Sequence, residues 1–161
     1  MVLGLSLATF TLVHVGISLI GIVSGIVVLY RMVAFRPIVG WNELFLVTTI
    51  LTSVTGFLFP FHGFGPAHIL GVLSLLVLAI ALYALYPRHL SGAWRPLYAA
   101  AAALALYFNV FVAVAQAFGK IPALTALAPT QSEPPFVIAQ VAVLVLLAAG
   151  GFLAQRRFAR A

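Results

Sequence analysis

The sequence contains no cysteine and only two acidic residues, and no polar stretch between its apolar runs is long enough to form a soluble domain. The first absence excludes disulfides, thiolate metal sites, covalently attached c-type haem and thiol catalysis together. The second leaves eight Lys and Arg almost unopposed, for a formal net charge of +6. No phosphate loop, hydride site or nucleophile with its base is visible, and Ser132 beside Glu133 has no histidine at a spacing that suggests a triad. No solenoid period and no inverted repeat between halves appears, which argues against a transporter of that design.

What the chain does have is apolar surface. Its 161 residues are 65% hydrophobic and 6% charged, with a mean hydropathy of +1.24, more than a soluble core of this size hides. In such a chain the basic excess reports membrane topology and anionic lipid, and nucleic acid is not an expected partner. Apolar runs fall at about 5–30, 42–60, 66–86, 96–118 and 136–155, close to the ~20 residues that one bilayer-spanning helix needs. The expected fold is an all-α integral membrane protein, a single domain over residues 1–161 built as a bundle of five transmembrane helices. The second run is diluted by Thr48, Thr49, Thr52, Ser53 and Thr55, whose hydroxyls can bond back to their own helix carbonyls. The first run has no basic residue before it and Arg31 and Arg36 after it, the reverse of a signal peptide, so it is expected to stay as an anchor.

Positive residues gather on the cytoplasmic side of short loops. Arg31 and Arg36 follow run one, Arg88 and Arg95 separate runs three and four, and Arg156, Arg157 and Arg160 follow run five. Only Lys120 falls on the other side, which places the N-terminus outside and the C-terminus in the cytoplasm. Trp41, Trp94, Tyr30, Tyr83, Tyr86 and Tyr98 fall at the same inner boundary, where amphipathic rings prefer the headgroups. The one substantial loop, Gly119 to Pro135, carries Pro122, Pro129, Pro134 and Pro135, which should keep it from forming a sixth helix.

With that orientation, most strongly polar side chains fall in the outer half. His14 should lie ~10 Å below the outer boundary, His68 nearer to it, and Asn109 at a depth similar to His14. Gln116 and Gln140 share that half, and His62 and Glu133 come from outer loops. Ionisable groups within a membrane usually face the bundle interior or an aqueous cavity and are functional candidates. His14 shares a face with Ser18, Gly21 and Gly25, the last two a small-xxx-small pair suited to close helix contact. Two imidazoles on different helices, His14 and His68, can serve as axial ligands of a b-type haem, although each could equally be a hydrogen-bonded or headgroup-facing histidine. His14, His62, His68 and Glu133 form the candidate set for a transition metal where thiolate is absent. Asn109, on a face continued by Ala102, Ala105, Ala113 and Gln116, must find a partner, either another helix or a ligand. Asn42 and Glu43 suit the start of a helix, as cap and as dipole partner, and His89 lies among headgroups.

Val13-His14-Val15-Gly16 and Phe64-Gly65-Pro66-Ala67-His68-Ile69-Leu70-Gly71 resemble segments of a group of small bacterial membrane proteins with a histidine early in the first span and FG-x-x-H opening a later one. The stretches Leu106-Tyr107-Phe108-Asn109-Val110-Phe111-Val112 and Leu127-Ala128-Pro129-Thr130-Gln131-Ser132-Glu133-Pro134-Pro135-Phe136 resemble a signature of proteobacterial hypothetical membrane proteins. The resemblance implies a multi-pass protein of the bacterial inner membrane and transfers no activity. The chain also resembles b-type membrane cytochromes in carrying histidines on helices, and departs from them in lacking two aligned histidine pairs, so at most one haem is implied.

The expected function is therefore a periplasm-facing polar pocket that binds haem b, a metal ion or a quinone-like ligand, with a role in electron transfer. His14 and His68 would ligate, Asn109, Gln116 and Gln140 would supply hydrogen bonds, and the loop from Thr130 to Pro135 would act as a lid. The alternative is a non-catalytic membrane subunit or assembly factor that docks a larger complex or a second copy of itself. A channel or carrier is disfavoured because no run carries mid-membrane charges. Catalytic residues are not identifiable.

Overall fold

The computed structural model describes residues 1–60 and 65–160. Six helices follow one another: α1 (Leu7–Val33), α2 (Trp41–Gly56), α3 (Pro66–Leu85), α4 (Trp94–Lys120), α5 (Pro122–Leu127) and α6 (Pro134–Phe158). The described residues contain no strand. Four helices, α1, α3, α4 and α6, are long and apolar enough to cross a membrane.

Five of the six helices start where local chemistry supplies a partner for an N–H group or proline removes one. The Ser6 hydroxyl accepts from the Thr9 N–H at 3.1 Å and caps α1. At α2 the Gly40 N–H donates to the Glu43 carboxylate at 2.5 Å, a contact that fits a carboxylate in the first helical turn. Asn42 is not the cap expected of it: it lies inside the helix, fully buried, where its carbonyl oxygen accepts from the Tyr98 hydroxyl. For the same reason Tyr98 is not an interfacial ring, since a phenol with a buried acceptor on a neighbouring helix stays inside. Proline opens α3, α5 and α6, where its missing N–H costs nothing.

Two elements depart from the sequence expectation. The run at 42–60 yields a helix of only 16 residues, ~24 Å long, because its last turn tightens through Phe57 and Leu58 N–H bonds to carbonyls three residues back and Pro60 cannot continue it. The proline-rich loop does contain a sixth helix, α5, because Pro122 occupies its first position, where proline is tolerated.

The helices alternate in direction. α4 is central and packs against α6, α3 and α1, while α1 also packs on α2 and α6, and α2 on α3. Small and polar residues, Ala99, Ala102 and Ala105 of α4, Ala81 and Ala84 of α3, Ser24, Thr49 and Ser74, are buried beside larger ones such as Phe45, Leu78 and Leu106. Leu12, Val23, Leu76, Val145 and Leu146 are exposed instead. Large apolar side chains on the outside, with small residues at the helix contacts, suit a lipid surround, in which small residues let helices approach closely. Seven cations, Arg31, Arg36, Arg88, Arg95, Arg156, Arg157 and Arg160, gather where α1, α3 and α6 end and α2 and α4 begin, with Lys120 alone at the opposite end. Several are tied down there: Arg157 donates to the Val33 carbonyl at 3.1 Å, and the guanidinium of Arg88 lies 5.2 Å from the Trp94 ring centre.

α4 and α6 approach closely. A Cβ built on Gly151 would stand 2.7 Å from the Ala103 Cβ, an atom that cannot rotate away. Gly151→Ala is therefore expected to push the two helices apart and destabilise the bundle by about 1–3 kcal/mol, outweighing the gain in helix propensity. Thermal unfolding in detergent, compared with the neighbouring exposed substitution Ala149→Ser as control, checks this.

Candidate functional site

The α1 face that carries His14, Ser18, Gly21 and Gly25 turns into the bundle and meets α2 and α4. His14 is half-buried; its ring stands edge-on to Phe59, with centroids 5.1 Å apart. Its Nδ1 is 2.7 Å from the Thr55 hydroxyl oxygen. That hydroxyl has one hydrogen, and it is committed to the Leu51 carbonyl at 2.6 Å, an atom that can only accept. The imidazole must therefore donate from Nδ1, and in its neutral form this leaves Nε2 with the lone pair. The same division of labour orients histidines that ligate metals.

From His14 a polar seam runs toward the cationic end. The hydroxyls of Thr48 and Thr52 donate to carbonyls four residues back, at 2.6 and 2.9 Å, which satisfies them without a neighbour. Two turns beyond His14, the position of a Cβ on Gly21 would lie 3.1 Å from Asn109 Nδ2, 3.2 Å from Thr48 Oγ1 and 3.3 Å from Thr49 Oγ1. Only a glycine lets three polar side chains from two other helices close in at this point. Asn109 Nδ2 and Thr49 Oγ1 are buried and have no hydrogen-bond partner among the described residues, and Thr49 is 1% exposed. Polar atoms buried away from water are normally satisfied, so these two atoms are the exceptions in the seam that call for an explanation. One turn further the seam stops. Phe45 and Leu106 press on Gly25, whose absent Cβ would be 2.7 Å from the Phe45 ring, and Val28 is buried in the same layer.

The other candidates are placed as follows. Asn109 is level with Gly21, ~10 Å deeper along α1 than the depth of His14 at which it was expected. His68, in the first turn of α3, accepts from the Gly65 N–H through Nδ1 at 3.3 Å, and its ring is 6.0 Å from that of Phe57. It therefore has the opposite tautomer to His14, with its proton on Nε2. Both histidines meet the C-terminal end of α2, His14 through Thr55 and Phe59 and His68 through Phe57. Gln140 joins α6 to α4 by donating to the Phe111 carbonyl at 3.1 Å, with its side-chain oxygen unpaired among the described residues. Gln116 is exposed on α4. Glu133 is engaged within its own loop and His62 lies outside the described residues. Among the described residues, no three His, Cys, Asp or Glu side chains come together as a metal-binding group.

Sequence reading left α2 out of the site, yet Thr48, Thr49 and Thr55 supply half of it. The signal was present: Thr48, Thr52 and Thr55 recur at helical spacing on one face. Gln131 was also missed. It donates to the Ala115 carbonyl at 2.9 Å and ties the loop to α4. No protein family, curated protein or solved structure matches the chain.

The loop that precedes α6 is closed by Glu133. Partial burial pushes its carboxyl up, but hydrogen bonds from the Thr130 hydroxyl and from backbone N–H groups of Thr130 and Ser132 outweigh this and hold it below the usual carboxylate range. A depressed folded value means that the carboxylate steadies the loop above the ordinary Glu pKa and ceases to do so as pH falls through the folded one. Hydrogen exchange at the Thr130 and Ser132 amides is expected to lose protection as pH falls below the ordinary carboxylate range. In Glu133→Gln that pH dependence should vanish.

Proposed function

We propose that the chain is a multi-pass protein of the bacterial inner membrane, with five membrane-crossing helices, that binds haem b, a transition metal or a quinone-like ligand through His14 and serves electron transfer. The carrying observation is the hydrogen bond from His14 to Thr55, which leaves the Nε2 lone pair free for a ligand atom. The orphaned Asn109 and Thr49 atoms extend the polar lining two turns deeper, where a carbonyl, hydroxyl or bound water would satisfy them. The resemblance to small proteobacterial membrane proteins supports the location.

Five crossings are supported by the path of the chain. α2 starts at the cationic end and finishes beside His14, and α3 starts there and returns, so α2 covers the distance although it is short. Membranes accommodate a short span by local thinning and by flanking apolar residues, here Phe57, Leu58 and Phe59. The clustering of seven cations at one end supports a cytoplasmic placement of that end and a periplasmic placement of His14.

His14 and His68 are not equivalent in this reading. Ligation by His68 as well requires that its Nδ1 give up the Gly65 N–H. The detergent-purified protein should show a Soret band that shifts on reduction by dithionite, or a stoichiometric metal by elemental analysis of the same sample. Failing both, an extractable quinone is expected. His14→Ala should abolish the bound species, and Thr55→Val should weaken it by about 10–100-fold, the usual effect of removing a ligand's orienting partner. His68→Ala distinguishes one histidine ligand from two. A colourless, metal-free and quinone-free protein would sink this reading and leave a structural subunit in its place.

A further inference from the structure

A second site lies on the outside of the bundle, away from His14 and independent of it. Along the seam between α4 and α6 runs a lateral groove of about 310 Å³, floored where Gly151 meets Ala103 and walled by Leu104, Tyr107, Leu144 and Phe152. Its small residues, Ala100 and Ala148 among them, leave the surface recessed. On α6 the lining residues run from Leu144 to Gln155, eleven residues along the helix, ~16 Å. That is about half of a ~30 Å hydrocarbon core, the depth of a single leaflet measured from the cationic end.

A cation stands beside the groove. Gln155 lines it, and the guanidinium of Arg156 is stacked 4.4 Å over the ring of Phe152, itself a wall of the groove. The stack fixes an exposed cation at the rim instead of letting it extend away. We propose that the groove binds one anionic phospholipid of the leaflet at the cationic end, with an acyl chain along Ala148 and Leu144 and the phosphate at Arg156. Basic sites between helices on the cation-rich side have the chemistry that such headgroups need. A second copy of the chain is the poorer occupant. A two-fold interface places the same patch on both sides, so the Arg156 of each copy would face the other with no acidic residue nearby to offset it. The two acids of the chain, Glu43 and Glu133, are on α2 and in the loop before α6.

Native mass spectrometry of the full chain, released from nanodiscs of phosphatidylglycerol and phosphatidylcholine in equal parts, tests this. The expected result is preferential retention of one phosphatidylglycerol per chain. Arg156→Gln should lower that preference by about fivefold, the contribution of one Arg at an anionic surface. Ala148→Phe, which fills the groove at an exposed position, should release the lipid, whereas Leu146→Phe, elsewhere on the exposed surface of α6, should retain it. Equal retention of both lipids, or retention unchanged in both Arg156→Gln and Ala148→Phe, overturns the proposal. So does a change of oligomeric state in Ala148→Phe without loss of lipid. None of these outcomes bears on His14, so this site and the proposed ligand site stand or fall separately.

Discussion

Close approach of helices across small side chains is the constraint on which this structure depends. An apolar exterior offers no hydrophobic force to drive one helix onto the next in lipid, so association rests on packing and interhelical hydrogen bonds. α4 meets that requirement with a run of alanines, of which Ala99, Ala102 and Ala105 are buried. Its neighbours answer in kind, α3 with Ala81 and Ala84, α6 with Gly151 and Ala154, and α1 with Gly21, Ser24 and Gly25. The polar seam follows from this, since Asn109, Thr48 and Thr49 all close in on the space that a side chain at Gly21 would take.

Much of the architecture is legible in the sequence because hydropathy and helix length are local properties. The runs that become α1, α3, α4 and α6 each carry enough consecutive apolar residues to be read without their neighbours. The cations sort to one end by the same local logic. What escapes is whatever depends on axial register between helices. Counting residues from the ends put Asn109 at the level of His14, but α4 is 27 residues long and begins at Trp94, so the register of α1 against α4 brings Asn109 to Gly21 instead. Asn42 and Tyr98 were misplaced for a related reason, because two polar residues near helix ends satisfy one another across the bundle rather than facing headgroups. Their mutual burial is a pairwise fact that neither residue carries alone.

The histidines show a further limit. Residue type says that His14 and His68 can ligate; the hydrogen bonds of their Nδ1 atoms decide what each Nε2 can do. A threonine already bonded to its own helix makes His14 a donor at Nδ1, and a glycine N–H makes His68 an acceptor there. Thr55 was visible in the sequence as a hydroxyl that dilutes an apolar run. Its back-bond to Leu51, which looks like a device for tolerating a threonine in a helix, is also what sets the tautomer of the neighbouring ring.

The two ends of the bundle are thereby given different chemistry by one helix. α2 is short and rich in hydroxyls, and it brings Thr48, Thr49 and Thr55 to the seam on its inward face. At its cationic end the polar residues are closed off in pairs, Glu43 on Gly40 and Asn42 on Tyr98, and the Phe45 and Leu106 layer separates them from Gly21. A polar line interrupted in this way is suited to holding something from one side, since the Phe45 and Leu106 layer stands between Asn109 and the cationic end. In the proposed reading, binding belongs to the His14 end, and the cationic end is left to anchor the protein and engage lipid.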